Sequence, residues 1–141
     1  MPDKETLRRA RQDKRAGKSS GTQAGEFVRE EIHHIREGKH GARSPEQAIA
    51  IGLSKARRAG VDLPPPKGES ARRSAASARR NAGKRPSLSR SRAMEARLKK
   101  EGKSAGTKSA LSRHARTAAR RRTASERSAS AKKAARTRAR R

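Results

Sequence analysis

The sequence predicts a mostly α-helical protein with a large disordered fraction, in which a short αα-hairpin precedes a basic tail. Only 29% of the 141 residues are hydrophobic, with one Phe and no Trp or Tyr. Such a chain buries too little apolar surface to offset the entropy of ordering all of it. Residues 63–141 contain 26 Lys/Arg against 4 Asp/Glu, and a segment this cationic repels itself in water. We therefore expect four parts: a basic N-terminal arm or marginal helix (1–19), a helical hairpin module (20–62), a Pro-rich linker (63–68) and a basic, low-complexity tail (69–141).

The N-terminal arm has the signals of one basic helix. Asp3 is placed to cap a helix that runs to about Ala16 and ends at Gly17. Leu7 is its only large apolar residue. Because an isolated helix of this length is marginal in water, we expect it to form only on a partner.

The first helix of the hairpin is predicted over about 22–37. Ser20 to Gln23 fits a capping box, and Gly38 is a natural stop. One broad apolar stripe runs along this helix, at Phe27, Val28, Ile32 and Ile35. We interpret the acidic residues Glu26, Glu30 and Glu31 as favourable charges near the helix N-terminus.

The second helix of the hairpin is predicted over about 45–59. Ser44 is the N-cap, Pro45 occupies the first helical position and Gln47 completes a capping box. Three small residues on its apolar face, at Ala48, Gly52 and Ala56, would let another helix approach closely. A module of about 40 residues usually needs additional stabilisation, and Ile51 points away from the main stripe. We therefore expect homo-oligomer formation through the hairpin.

The tail begins after three consecutive prolines at 64–66, which favour a semi-rigid polyproline II spacer. Two of its stretches, 91–101 and 107–122, combine Ala, Arg and Lys, which have high helix propensity. We predict that these stretches become helical when their charges are neutralised and stay largely unfolded otherwise.

Several kinds of protein are disfavoured by what the sequence lacks. It has no cysteine, and no apolar run of about 18 residues or secretory signal is present. No Walker A motif, dinucleotide fingerprint or nucleophile–base arrangement occurs, so we predict no enzyme and no cofactor. His33 and His34 diverge by about 100° on their helix, while His40 lies on a loop and His114 is distant in sequence. We therefore predict no metal site.

The basic tail predicts a polyanionic partner, which in a cell is usually nucleic acid. Its cations are spread among Ala and Ser, which suits phosphate contacts along a duplex, and aromatic residues for base stacking are missing. The loop before Ser44 adds Lys39 and Arg43, which would seat a phosphate at a helix N-terminus. The predicted nucleic-acid-binding residues are Lys39, Arg43, Arg72, Arg73, Arg79, Arg80, Lys84, Arg85, Arg120, Arg121, Arg122, Lys132, Lys133, Arg140 and Arg141.

The hairpin resembles a family of small, Lys/Arg-rich bacterial proteins classed as a domain of unknown function. The resemblance covers about 20–66 and is carried by residues 22–41 and 44–60, with QAIAIGLSKAR (Gln47–Arg57) as the most specific segment. It implies a bacterial, cytoplasmic origin and no established activity. The tail is similar in composition to linker-histone tails and to bacterial histone-like basic tails.

These observations favour a sequence-nonspecific DNA-binding protein that is nucleoid-associated or histone-like and compacts duplex DNA through its tail. We expect a cytoplasmic location at the nucleoid and no membrane partner, because the basic segments lack a bulky apolar face. One alternative is an RNA- or ribosome-associated basic protein, because charge alone does not separate duplex DNA from structured RNA. The other is an adaptor whose hairpin binds a protein partner.

Overall fold

The structure is a computed structural model that describes residues 1–64, 72–73, 76, 80 and 87–140. The chain divides into two compact units, Met1–Gly106 and Thr107–Arg141. Six α-helices have defined bounds in the described residues: α1 (Lys4–Arg15), α2 (Ser20–Glu37), α3 (Pro45–Arg58), α4 (Leu88–Lys100), α5 (Lys108–Arg120) and α6 (Ala124–Ala139). A 3-10 turn covers Ser104–Gly106. No helix in this described part is both long and apolar enough to cross a membrane.

The centre of the first unit is the hairpin of α2 and α3. The helix α2 starts two residues earlier than predicted, and its N-cap is Ser19, whose hydroxyl accepts the Thr22 N–H at 3.3 Å. The expected capping box from Ser20 to Gln23 is wrong, since the Gln23 side chain donates to the Lys18 carbonyl at 2.9 Å. At the other end Gly38 closes α2 with a φ of 81°, a conformation that favours glycine.

The core of the first unit is built largely from alanine. Six of the nine buried apolar residues of the described chain are Ala, and the largest buried side chains include Phe27 and Ile35. Helices pack closely across these small residues: a Cβ added to Gly52 would lie 2.6 Å from the Cα of Val28. Because the helix backbones approach closely, many short van der Waals contacts stabilise the core in place of large apolar side chains. A low content of large apolar residues therefore does not prevent a packed core here.

The helix α1 packs within the chain instead of standing alone. Ala10 is buried and Leu7 is partly buried against the cluster that contains Phe27. The backbone N–H of Asp3 donates to Glu30 Oε2 on α2 at 3.3 Å. The α2 helix thus supplies the packing surface that a marginal helix needs.

The predicted large disordered fraction is wrong for the described residues, because 87–140 is almost entirely helical. Each of the last two helices has a side-chain cap. Thr107 Oγ1 accepts the Ala110 N–H at 3.2 Å, and Thr123 and Glu126 form a reciprocal capping box before α6. Good caps and the high propensity of Ala, Arg and Lys outweigh the charge repulsion that we expected to dominate. The stretches 91–101 and 107–122 overlap α4 and α5, whereas α6 was not predicted.

The end of α4 and the turn after it complete the first unit. Gly41 and Ala42 donate their backbone N–H groups to the carbonyls of Leu98 and Gly102, at 2.8 and 3.1 Å. Ala105 is buried in a cluster with Ile35. The segment 98–106 therefore belongs to the unit that contains the hairpin. Of the predicted linker at 63–68, residues 65–68 lie outside the described residues.

Candidate nucleic-acid interface and buried charged cluster

The helix α5 has one face of arginines and one face that is half-buried. Arg113, Arg116 and Arg120 are all exposed, and at 100° per residue they fall within an arc of about 60°. Seven residues at 1.5 Å each place the first and last of them about 10 Å apart along the helix. The half-buried residues occupy the other side of the helix and are Ala110, Leu111, His114 and Ala118. We call the three arginines the α5 arginine strip.

The unit that contains this strip has very little negative charge. Residues 107–141 include 13 Lys/Arg and a single acidic residue, Glu126. Glu126 Oε2 accepts the Thr123 N–H at 2.9 Å as part of the α6 cap. Every described residue of α6 is exposed, Lys132 and Lys133 included. The unit is therefore a cationic surface whose charge the chain itself barely neutralises.

A second basic strip runs along α1. Lys4, Arg8, Arg11 and Arg15 are exposed, and their spacing of three to four residues puts them on one face. Thr6, Ala10 and Asp13 are buried on another face. Sequence reasoning did not list these cations among the site residues, although the spacing was readable once the helix was assigned.

The predicted binding residues of the tail are divided between the two units. Arg72, Arg73 and Arg80 have helical backbone and are exposed. Four predicted residues lie outside the described residues: Arg79, Lys84, Arg85 and Arg141. The others are exposed in the second unit, at the end of α5 (Arg120, Arg121, Arg122), within α6 (Lys132, Lys133) and just after α6 (Arg140).

The predicted phosphate site before α3 is engaged by the chain's own groups. Lys39 Nζ lies 3.0 Å from Glu37 Oε2, and Arg43 Nε lies 4.0 Å from Glu101 Oε1. The hydrogen bond between Lys39 and Glu37 is the main reason that the pKa of Glu37 is lowered and the pKa of Lys39 is raised. The Ser44 hydroxyl accepts the Gln47 N–H at 3.3 Å. Phosphate binding by these cations stays a prediction, and it would require both ion pairs to open.

A cluster of ionisable side chains lies inside the first unit. We call it the buried charged cluster, and its members are Asp3, Glu30, Glu31, His34, His40 and Lys55. The side chains of Glu30 and Glu31 are only 3% and 1% exposed. Lys55 Nζ hydrogen-bonds Glu31 Oε1 and lies 3.7 Å from Glu30 Oε1. Glu30 Oε1 has no hydrogen-bond partner and is the only such buried side-chain atom among the described residues.

The two histidines of this cluster turn one nitrogen each towards Glu31. His34 Nδ1 lies 3.7 Å from Glu31 Oε1, and His40 Nε2 lies 3.5 Å from Glu31 Oε2. The Glu31, His34 and His40 side chains can each offer one ligand atom, all within 4.8 Å of one another. Asp3, Glu30 and His34 form an overlapping group that meets the same limit.

Sequence reasoning missed this cluster because it interpreted Glu30 and Glu31 as favourable helix-start charges. The structure starts α2 at Ser20, so these glutamates lie beyond its first two turns and face inward. The available signal was the spacing of Glu31 and His34, which places both side chains on one helix face. The position of His40 depends on the fold of the loop and was not readable from periodicity.

Comparison with known proteins gives one match. Residues 11–67 match a family of unknown function (DUF6496). The match covers less than half of the chain and includes the hairpin and the last five residues of α1. No curated protein and no solved structure matches the chain.

Proposed function

We propose that this protein binds duplex DNA without sequence preference and neutralises its phosphates, as a bacterial nucleoid-associated or histone-like factor of the cytoplasm. The observation that carries the proposal is the second unit, which has 13 Lys/Arg against one acidic residue. The 12 of these cations that the structure describes are all exposed. Such a surface attracts a dense polyanion and releases its counterions on binding. The similarity of the tail in composition to linker-histone tails supports the same proposal.

Duplex DNA suits these helices better than duplex RNA does. An α-helix with side chains is about 10–12 Å across, and the major groove of B-DNA is about 12 Å wide. The major groove of A-form RNA is deep and too narrow for side chains to read. Proteins that bind single strands commonly combine a basic groove with aromatic side chains on which bases stack. This chain has no Trp or Tyr, and its one Phe, Phe27, is fully buried.

The role of the α5 arginine strip follows from its geometry. Three guanidinium groups on one face, about 10 Å from first to last, contact phosphates of one groove edge when the helix lies along it. The contacts are to the backbone of the DNA, so they position the protein and carry no sequence information. The exposed cations of α6 and α1 add to the same electrostatic attraction.

The test is the salt dependence of binding by the full chain. We expect the affinity for a fluorescent DNA duplex to fall with KCl on a log–log plot, with a slope of about −0.9 for each phosphate contacted. The triple variant R113Q/R116Q/R120Q should reduce the magnitude of that slope by about 2 to 3.

The matched control removes the same charge from cations that already have a carboxylate partner. Arg9, Lys18 and Lys99 pair with Glu5, Asp13 and Glu95, respectively, so R9Q/K18Q/K99Q should change the slope less. Equal slopes for both triple variants would overturn the assignment to the strip. A salt-independent affinity would overturn the proposal itself, and preferential competition by structured RNA would favour the RNA alternative.

A further inference from the structure

The geometry of the buried charged cluster points to a cation between Glu31, His34 and His40, and we propose that this cation is a divalent transition metal of the Zn²⁺ class. The inference does not depend on nucleic-acid binding. It starts from three carboxylates, one lysine amine and two imidazoles in one cluster. With neutral imidazoles the cluster holds one cation and three anions, two of them almost fully buried. Buried charge is expensive unless it is paired.

The orientation of His40 shows where the missing positive charge belongs. Its Nδ1 lies 3.1 Å from the carbonyl oxygen of Gly41. A carbonyl oxygen only accepts hydrogen bonds, so Nδ1 carries a proton. In a neutral imidazole the other nitrogen, Nε2, then presents a lone pair to Glu31 Oε2 at 3.5 Å. Two lone pairs repel at this distance unless a cation lies between them.

His34 repeats this arrangement from the α2 helix. Its Nε2 faces Asp3 Oδ2 at 3.4 Å, and its Nδ1 faces Glu31 Oε1 at 3.7 Å. A carboxylate that holds one imidazole nitrogen while the other binds a metal is a recurring arrangement of metal sites in proteins. In each histidine, therefore, one ring nitrogen faces a hydrogen-bond acceptor (Gly41 O or Asp3 Oδ2) and the other ring nitrogen faces Glu31.

The separations fit a small tetrahedral ion. Zinc binds nitrogen and carboxylate oxygen at about 2.0–2.2 Å, which places neighbouring ligand atoms of a tetrahedron about 3.3–3.5 Å apart. The two nitrogen–oxygen separations, 3.5 and 3.7 Å, are to different oxygens of Glu31. One ligand atom from each of the three residues lies within 4.8 Å of the others, so side-chain adjustments of up to about 1.5 Å would complete the site. Two imidazoles and one carboxylate suit zinc and its neighbours in the first transition row better than calcium or magnesium, which prefer oxygen ligands. A water completes the fourth position.

The unpartnered oxygen of Glu30 gives an independent reason. Lys55 bonds Glu31 Oε1 and lies 3.7 Å from Glu30 Oε1, a buried atom that lacks a hydrogen-bond partner. When a metal neutralises Glu31, Lys55 is released to donate to Glu30 Oε1. Metal binding thus satisfies the orphaned oxygen and leaves each buried carboxylate with one positive partner.

The experiment uses the full chain, first stripped with a chelator and then titrated with Zn²⁺ by calorimetry, with metal content measured by mass spectrometry after dialysis. We expect one zinc per chain and a melting temperature that rises with zinc. H40Q and H34Q should each weaken binding by more than the roughly 10–100-fold that is typical of losing an outer-shell partner.

The matched control is His33, the neighbour of His34. Its side chain is 67% exposed and pairs with Glu37 at 2.9 Å, so H33Q should bind zinc as the unmodified chain does. An H33Q variant that loses as much affinity as H40Q would overturn the site, because the zinc would then be held by surface histidines. Circular dichroism of each variant without metal shows whether the fold persists.

A second measurement needs no variant. Co²⁺ in place of Zn²⁺ should give the visible absorption of a four-coordinate site, and its paramagnetic broadening in NMR should centre on residues 31, 34 and 40. Octahedral Co²⁺ spectra, or broadening spread over the surface, would overturn the proposal. The proposal would also fail if no zinc binds at micromolar concentration. Nitrogen NMR that then shows both imidazoles doubly protonated at pH 7 would identify protons as the cations of the cluster.

Discussion

The two units of this chain use helices in opposite ways. In Met1–Gly106, helices bury Phe27, Ile35 and several alanines, and they enclose ionisable side chains that are less than about one-fifth exposed, among them Glu30, Glu31, His34 and His40. In Thr107–Arg141, neither helix has a buried residue. The first unit is therefore stabilised by packing between elements, whereas each helix of the second depends on its caps and on the propensity of its residues.

That difference shows how a chain with few large apolar residues distributes them: they are concentrated in one unit. Its fully buried Phe and Ile side chains lie in one unit, where small residues allow close packing around them. The other unit keeps its surface for charge. If the second unit binds DNA as proposed, substitutions that change stability and substitutions that change binding should lie in different parts of the sequence.

The largest expected effect is the loss of the Phe27 side chain. Phe27 is fully buried, so F27A should destabilise the first unit by about 3–5 kcal/mol. L111A, in the half-buried face of α5, should cost about 0.5–1 kcal/mol. Urea denaturation followed by circular dichroism measures both. Similar losses for the two variants would mean that the second unit has a core of its own.

The next effect tests the close approach of α2 and α3. A Cβ at Gly52 would meet the backbone of Val28, whereas a Cβ at Gly25 would meet nothing within 4 Å. We expect G52A to destabilise the first unit by about 1–3 kcal/mol. G25A should stabilise it by about 0.5–1 kcal/mol, because alanine is the better helix former. Thermal melts of G52A and G25A test this prediction. If both variants were stabilised, α2 and α3 would be able to move apart without a loss of stability.

A smaller effect compares equivalent caps in the two units. Ser44 caps α3 and Thr123 caps α6, and replacing either with Ala should cost about 1 kcal/mol. S44A should lower the melting temperature of the first unit, while α3 stays helical because tertiary packing holds it. In T123A the first turns of α6 should exchange their amide hydrogens faster, since no packing compensates. Unchanged exchange in α6 would contradict this account of the second unit.

The smallest effect concerns the exposed pair of Glu37 and Lys39. Its hydrogen bond lowers the pKa of Glu37 from 4.5 and raises that of Lys39 from 10.5. Any stabilisation from Glu37 is therefore present above pH 4.5 and is lost as the pH falls through the lowered pKa. The contribution of Lys39 is lost only as the pH rises through its raised pKa.

An NMR titration of the Glu37 carboxyl carbon measures this pair directly. Its midpoint should lie below 4.5 in the unmodified chain and move towards that value in K39Q. R43Q is the control, because Arg43 faces Glu101 instead. A midpoint that K39Q leaves unchanged would remove Lys39 as the cause.

The sequence allowed prediction of the hairpin because its signals are local. Ser44, Pro45 and Gly38 mark helix ends by backbone chemistry alone, and the observed α3 differs from its predicted range by one residue. The order of the tail was not predicted, because repulsion between like charges was weighed more heavily than the caps at Thr107 and Thr123. For the candidate nucleic-acid interface, the high Lys/Arg content of the sequence was enough to predict exposed arginines.

The buried charged cluster was not predictable in the same way. It joins groups from the residue before α1, from α2, from the loop after it and from α3, and only tertiary packing brings Asp3, His40 and Lys55 together. Periodicity in the sequence does not indicate tertiary contacts of this kind. Glu31 contacts Lys55 of α3 and His40 of the loop, and its position on α2 does not reveal either contact.

The docking of residues 98–106 on the loop after α2 has a consequence for where this protein can be cut. Gly41 bonds the Leu98 carbonyl, and Ala105 covers Ile35, yet the family match ends at residue 67. A fragment trimmed to the matched region would lose the cover of its own second apolar cluster and expose Ile35. The boundary of the family match and the boundary of the folded unit are therefore different, and expression of residues 11–67 alone would leave part of the core uncovered.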